Sequence, residues 1–225
     1  NAVAAEHDLY VSGRAEYGEA LDSLLLHIRH RRAFGAYARR IGLERTFKPG
    51  HYALKPGMSV IEVARMLKLG MQTPVRVTIN NVRTPAQLAG KLARQIEADS
   101  ATIVGALTDP ATARKAGFDS VTLFSMFIPD TYEFYWTVSP AQFIERMRRE
   151  YDRFWTPQRD AKRQRSELSR LEVMTLASIV YEETRQSDEM PRIAGVYINR
   201  LRKGWPLQAD PTVKYALQEF GLRRI

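Results

Sequence analysis

The residues of this chain best suited to chemistry close one apolar run. In Leu176-Ala-Ser-Ile-Val-Tyr-Glu-Glu-Thr184 two adjacent carboxylates, Glu182 and Glu183, follow a mostly apolar stretch with helical character. A carboxylate emerging from a buried helix is desolvated, and the unpaired carbonyls of the helix C-terminus add negative potential; both favour the protonated acid. An ordinary glutamate near pKa 4.3 holds its proton only about one time in 500 at neutral pH, whereas one raised to about 6 holds it about one time in ten. The pattern predicts a general acid. It competes with the plainer expectation that both side chains face solvent and pair with Arg185 or an arginine elsewhere. Downstream, Asn199, Gln208, Asp210 and Thr212 are polar residues set among apolar ones. They lie on a helix, at a Trp205-Pro206 turn and at a capped helix start, and their polarity weighs against the plainer expectation. For Asp210, a plain N-cap before Pro211 is a sufficient structural explanation.

Other chemistries lack a motif. The chain has no cysteine, which removes disulfides, thiolate zinc sites and cysteine nucleophiles. His27 and His30, three apart on an expected helix, lie among arginines and read as surface residues rather than metal ligands. His7 and His51 have no evident partners. No Gly-rich phosphate loop, Gly-x-Ser-x-Gly elbow or His-Glu-x-x-His run occurs, so neither a metal nor a cofactor is expected. Lysine plus arginine number 34 against 25 acids, a net charge of +9. That balance draws polyanions, whether nucleic acid, anionic lipid or an acidic wall polymer. Arg29, His30, Arg31, Arg32, Arg39 and Arg40 form a basic run on an amphipathic helix. They read as a solvated face with no accompanying motif for reading nucleic acid, and no nucleic-acid partner is expected.

These groups must be carried by a scaffold, and the pattern divides the 225 residues into two styles. With 44% hydrophobic and 26% charged residues the chain is of globular type, and no run reaches the roughly 18 apolar residues of a membrane span. It opens at Asn1 without methionine, signal peptide or anchor and is expected to be a piece of a longer chain. The first 95 residues or so repeat a strand-turn-helix pattern three times. Leu9 to Ser12 leads through Gly13 into a helix with Leu21, Leu24, Leu25 and Ile28 on one face. His51 to Leu54 lies between two Lys-Pro-Gly turns, and Ser59 with Glu62 predicts a capping box for a helix that Gly70 ends. Val75, Val77 and Ile79 alternate as in a strand, and Thr84-Pro85 with Gln87 starts the next helix. From about Phe118 helices take over. Ser139-Pro140 opens one with Phe143, Met147, Tyr151 and Phe154 on a face, and residues 160–170 read as a solvated connector. A helix over roughly Ser166 to Thr184 is apolar around much of its circumference and is expected to be central. Asp188 to about Lys203 is expected to bury Ile193, Val196, Tyr197 and Leu201, and Asp210-Pro211 to cap a last helix.

Taken in order, several segments carry a resemblance: Phe47-Lys-Pro-Gly-His-Tyr52, Phe127-Ile-Pro-Asp-Thr-Tyr132, Leu176 to Thr184, Val196-Tyr-Ile-Asn-Arg-Leu201 and Leu207-Gln-Ala-Asp-Pro-Thr212. Together they are similar to the motifs of the YceG-like (MltG) endolytic murein transglycosylases. The resemblance implies an α+β protein, with a small LysM-like module over residues 1–80. Residues 81–225 would hold a connecting strand-helix unit and a mainly helical, lysozyme-like catalytic domain, incomplete at its C-terminus. By the register of the Ala-Ser-Ile-Val segment, the catalytic glutamate is Glu183. Many members have a further glutamate where this chain has Tyr181, which leaves Glu182 as a neighbour.

The resemblance further implies a lytic reaction. Glu183 would protonate the oxygen of the β-1,4 bond between N-acetylmuramic acid and N-acetylglucosamine, then take the proton of the sugar's C6 hydroxyl as a 1,6-anhydro ring closes. Asn199, Gln208, Asp210 and Thr212 would contact substrate or support the groups that do, with Tyr132 and Tyr181 as sugar-stacking surfaces. For both tyrosines core packing is an equal expectation. The implied partners are peptidoglycan glycan strands and peptidoglycan synthases, and the implied location is the outer face of the cytoplasmic membrane, through a single-pass anchor outside this chain. A noncatalytic peptidoglycan-binding module is the rival reading.

Overall fold

The computed structural model describes residues 1–221, which form an α+β protein of helices and two small antiparallel sheets. Two compact units divide between Arg148 and Arg149. The first contains both sheets. Strand β1 (His7–Val11) pairs with β2 (Gly50–Leu54), with Leu9 opposite Tyr52. Between them lie helices α1 (Tyr17–Leu25), α2 (Arg31–Arg40) and α3 (Leu43–Thr46). Helix α4 (Val60–Leu69) follows, with the expected Ser59–Glu62 capping box and Gly70 in the left-handed conformation that ends it. Leu9, Leu24, Phe34, Tyr52, Leu54 and Val63 close a core here. Ile28 lies beyond the end of α1 and instead bridges to Val3. Phe34 and Ala38 are the buried side of α2, and Arg31, Arg32, Arg39 and Arg40 face solvent.

Strand β3 (Val75–Ile79) shows the expected alternation, but its partner was not legible in the pattern. It pairs with β4 (Asp130–Phe134), Val77 opposite Tyr132, within a segment read only as a motif. Helices α5 (Pro85–Leu92), α6 (Ser100–Thr108) and α7 (Pro110–Lys115) intervene, N-capped by Thr84, Asp99 and Asp109. A short 3-10 turn over Leu123–Met126 precedes β4. Helix α8 (Pro140–Phe154) buries Phe143 and Met147.

The second unit is helical. Residues 160–170, expected as a connector, instead include part of α9 (Pro157–Gln164). Thr156 caps this helix, and Asp160 receives hydrogen bonds from both Arg163 and Arg170. The charge run is thus an ion-pair network. Its principal helix α10 (Arg170–Glu183) begins later than expected, at a Ser169–Glu172 capping box after Glu167 adopts a positive φ of 63°. Only one side of α10 is buried, through Leu176, Ile179 and Val180, while Ala177 and Ser178 are exposed. It packs against α11 (Met190–Arg202) and α12 (Asp210–Leu217). On α11 Tyr197 is buried as expected, but Val196 and Leu201 are exposed. Among the described residues, no helix is long and apolar enough to cross a membrane.

Candidate active site

Glu183 is the last residue of α10, and the chain turns extended at Thr184 immediately after it. Thr184 is buried and anchors this turn: its hydroxyl donates to Glu189 Oε2 at 2.7 Å and accepts from the Gln186 amide at 3.0 Å. Among the described residues, one side chain hydrogen-bonds Glu183. Tyr197, from the middle of α11, donates its hydroxyl to Glu183 Oε1 at 2.8 Å. A phenol whose ring is buried needs a partner for its O–H, and this bond supplies it. Burial first, and then the bond to Glu183, push the Tyr197 hydroxyl up to about 12; Arg200 works against the shift and Asp210 with it. Glu183, Tyr197, Arg200 and Asp210 therefore share one electrostatic environment drawn from three helices.

Arg200 also shapes the next loop, its Nη1 donating to the Leu207 carbonyl. The clamp precedes Gln208, held at a positive φ of 52° that non-glycine residues rarely adopt, and Ala209, which is buried. Ala209, not Asp210, occupies the N-cap of α12, and no side chain caps that helix. Asp210 is its first residue and is exposed, so the capping role expected for it is not present. Thr212 donates its hydroxyl back to the Ala209 carbonyl at 2.7 Å and closes the first turn.

The structure thus brings both Glu183 and Asp210 to bear on Tyr197 and leaves Asn199 and Gln208 as exposed side chains of the same unit. Tyr181 is 42% exposed, with the Arg185 guanidinium 4.1 Å above its ring. Tyr132 belongs to the first unit, where its ring is 7% exposed and its hydroxyl donates to the Ile128 carbonyl; the side chain is committed to packing. Glu182 pairs with Arg185 at 3.7 Å, the surface arrangement foreseen as the plainer expectation. Glu183 is also exposed rather than enclosed by the apolar run, because α10 buries only one side. Its second oxygen, Oε2, has no protein partner among the described residues. Tyr197 and Arg200 were missed as site residues. The signal for Tyr197 was a phenol expected to be buried, whose O–H needs an acceptor.

The histidines also find partners. His7 and His27 stack with ring centroids 3.3 Å apart, and His51 bonds Asp8 and the Thr73 carbonyl. His27 and His30 lie between α1 and α2 rather than on one helix.

A carboxyl group oriented by a phenol at an exposed helix end, flanked by a second carboxylate and exposed amides, has the composition of an acid–base site for a polar substrate. The chain belongs to the YceG-like family, whose model matches residues 15–224. It is 25% identical over 204 residues to the endolytic murein transglycosylase of Bacillus subtilis strain 168, covering 84% of this chain and 56% of that protein. With the endolytic murein transglycosylase of Streptococcus pneumoniae serotype 2 it shares 24% identity over 234 residues, 92% of this chain and 42% of that protein. The chain spans about half the length of these curated relatives. The crystal structure of a YceG-like protein from Listeria monocytogenes has the same fold, with a TM-score of 0.60 at 23% identity, covering 98% of this chain and 78% of that one.

Proposed function

We propose that this chain is part of an endolytic lytic transglycosylase that cleaves the β-1,4 bond between N-acetylmuramic acid and N-acetylglucosamine in peptidoglycan strands, with Glu183 as its acid and base. The observation that carries the reading is the 2.8 Å bond from Tyr197 to Glu183 Oε1, which orients the carboxyl group and leaves Oε2 open to a ligand. Family membership and the names of the two relatives support the substrate class.

Glu183 in its acid form gives its proton to the glycosidic oxygen. The C1–O bond breaks, and the departing N-acetylglucosamine takes the proton. The resulting carboxylate takes the C6 hydroxyl proton of the muramic acid while O6 closes on C1, so the acid is regenerated and no water is consumed. A single acid–base residue serves both half-steps, unlike the two carboxylates of most glycoside hydrolases, and is worth about 10² to 10⁴ in rate. Asp210 stands near enough to influence Tyr197 electrostatically, and its negative charge would offset an oxocarbenium-like transition state. Asn199 and Gln208 contact the sugar's amide and hydroxyl groups, Thr212 holds the loop that bears Gln208, and Tyr181 offers a stacking face. Residues 1–80 act as a LysM-like module and residues 81–225 as a connecting unit and lysozyme-like domain. The protein works at the outer side of the cytoplasmic membrane beside peptidoglycan synthases.

The test is digestion of purified peptidoglycan by the full-length protein and by its Glu183→Gln form, read by mass spectrometry. Wild type produces 1,6-anhydro ends and the variant produces none while keeping its fold. Reducing ends would mean hydrolysis, and binding without cleavage by either form would leave a noncatalytic module.

A further inference from the structure

The first unit holds a concave site of a different kind. An open depression of about 330 Å³ is lined by Tyr10, Val75, Arg94, Gln95 and Trp136, at the small end of the roughly 300–1,000 Å³ range of small-molecule pockets. Its lining comes from β1, β3, the segment after α5 and the turn after β4. Tyr10 is 48% exposed, and Trp136 meets it at 5.2 Å with the rings inclined by 62°, so the two aromatics form a corner.

That corner is built from behind. Tyr10 stacks on His51 at 4.6 Å and 13°, and His51 is itself buried and held at both ring nitrogens, by Asp8 at 2.7 Å and by the Thr73 carbonyl at 2.9 Å. On the other side the Glu97 amide donates to the Trp136 carbonyl at 2.8 Å. The carboxylate of the same residue accepts from the Ser12 hydroxyl at 2.5 Å and the Gly13 amide at 2.8 Å. One glutamate thus ties together the end of β1, the segment carrying Arg94 and Gln95, and the turn carrying Trp136. The polar rim, by contrast, is only partly committed. Gln95 Nε2 donates to the Lys91 carbonyl at 3.3 Å, and its Oε1 has no protein partner among the described residues. Arg94 is exposed and forms no ion pair among them.

We propose that this depression is a saccharide subsite: a pyranose ring lays its C–H face against the Tyr10–Trp136 corner, Gln95 bonds a hydroxyl or acetamido group, and Arg94 receives a carboxylate carried by the sugar. Pyranoses present apolar C–H faces and a polar rim. They match wet-edged aromatic surfaces backed by a planar amide and a guanidinium, the latter suited to bidentate capture of a carboxylate. A nucleobase would also stack here, but a single cation at the rim is a poor match for a strand carrying a phosphate at every residue. That the sugar belongs to a peptidoglycan strand rests on the function proposed above; that the pocket takes a saccharide does not.

The experiment follows the Trp136 indole N–H by NMR in the full chain, assigned by its disappearance in Trp136→Phe. Three probes are titrated: neutral N-acetylchitopentaose, the disaccharide N-acetylglucosaminyl-N-acetylmuramic acid, and a short single-stranded oligonucleotide. Both saccharides move the resonance, and Tyr10→Ala weakens them by about tenfold, the scale of one lost aromatic contact. Arg94→Gln, a surface change that leaves folding intact, weakens only the carboxylate-bearing disaccharide. Glu183→Gln leaves both titrations unchanged, so loss of cleavage and loss of this subsite are read separately. An indole that no saccharide moves, an Arg94→Gln protein that binds both sugars like wild type, or an oligonucleotide that displaces them would each overturn the proposal.

Discussion

Removing one oxygen from Tyr197 separates orientation of the proposed acid, Glu183, from packing of the helices. The Tyr197 ring sits in a core with Leu176, Ile179, Val180 and Ala209 and is 7% exposed, so phenylalanine fills the same space. What is lost is the 2.8 Å bond to Glu183 Oε1. Because Glu183 is exposed, water takes the place of the donor, and the stability loss stays near about 0.5–1.5 kcal/mol. For a chain of this size that is a Tm decrease of about 1–6 °C. Turnover suffers more: with acid–base help worth about 10² to 10⁴, a carboxyl group that is present but unoriented forfeits about 10-fold to 100-fold in kcat with KM unmoved. The assay is the initial rate of anhydro-end formation on purified glycan strands over a range of concentrations, beside a thermal melt of each protein. The Tyr197 hydroxyl titrates at about 12, above its ordinary 10.0, so the folded state holds that proton more tightly. Its contribution to stability is whole below pH 10 and is lost only as pH rises from 10 to about 12. A Tyr197→Phe enzyme with kcat within about twofold of wild type would refute the reasoning, since the hydroxyl would then serve packing alone.

Three further outcomes follow from other parts of the second unit. Glu182→Gln weakens the surface i,i+3 pair with Arg185, a contribution of about 0.2–1 kcal/mol, and turnover stays at the wild-type level; a loss as deep as that of Glu183→Gln would exchange the roles of the two neighbours. Ser169→Ala removes the capping box of α10 at the end opposite Glu183 and costs about 1 kcal/mol in denaturant melts, with kcat and KM unchanged. Hydrogen bonds from Arg170 first and Arg163 next hold the Asp160 carboxyl at about 2, below its ordinary 3.8. It therefore stabilises the fold above pH 3.8, and that contribution fades as pH falls towards 2; Asp160→Asn should flatten the acid limb of a Tm-against-pH curve.

The site was legible to the extent that its groups lie close in sequence. Glu183 at a helix end follows from the apolar run before it, and Gln208 to Thr212 from the Pro206 and Pro211 turns that break the helices. Its enclosure was not legible: apolar residues around a helix show what can be buried, but exposure depends on how many neighbours arrive, and α10 receives them on one side only. The same reason explains why Val196 and Leu201, apolar and helical, are exposed while Tyr197 beside them is not.

What the sequence determined by itself are the interactions that span three or four residues. These include the caps at Ser59 and Thr84, the left-handed stop at Gly70, the alternation of Val75, Val77 and Ile79, and the basic outer face of α2. Such contacts are local, so residue type and spacing suffice. The tertiary structure alone decided the pairing of β3 with β4, the phenol that reaches Glu183 from 14 residues away, and the aromatic corner of Tyr10 and Trp136. Each of these joins elements distant along the chain, and a partner at that range is selected by the packing of whole helices and sheets, which no local pattern records.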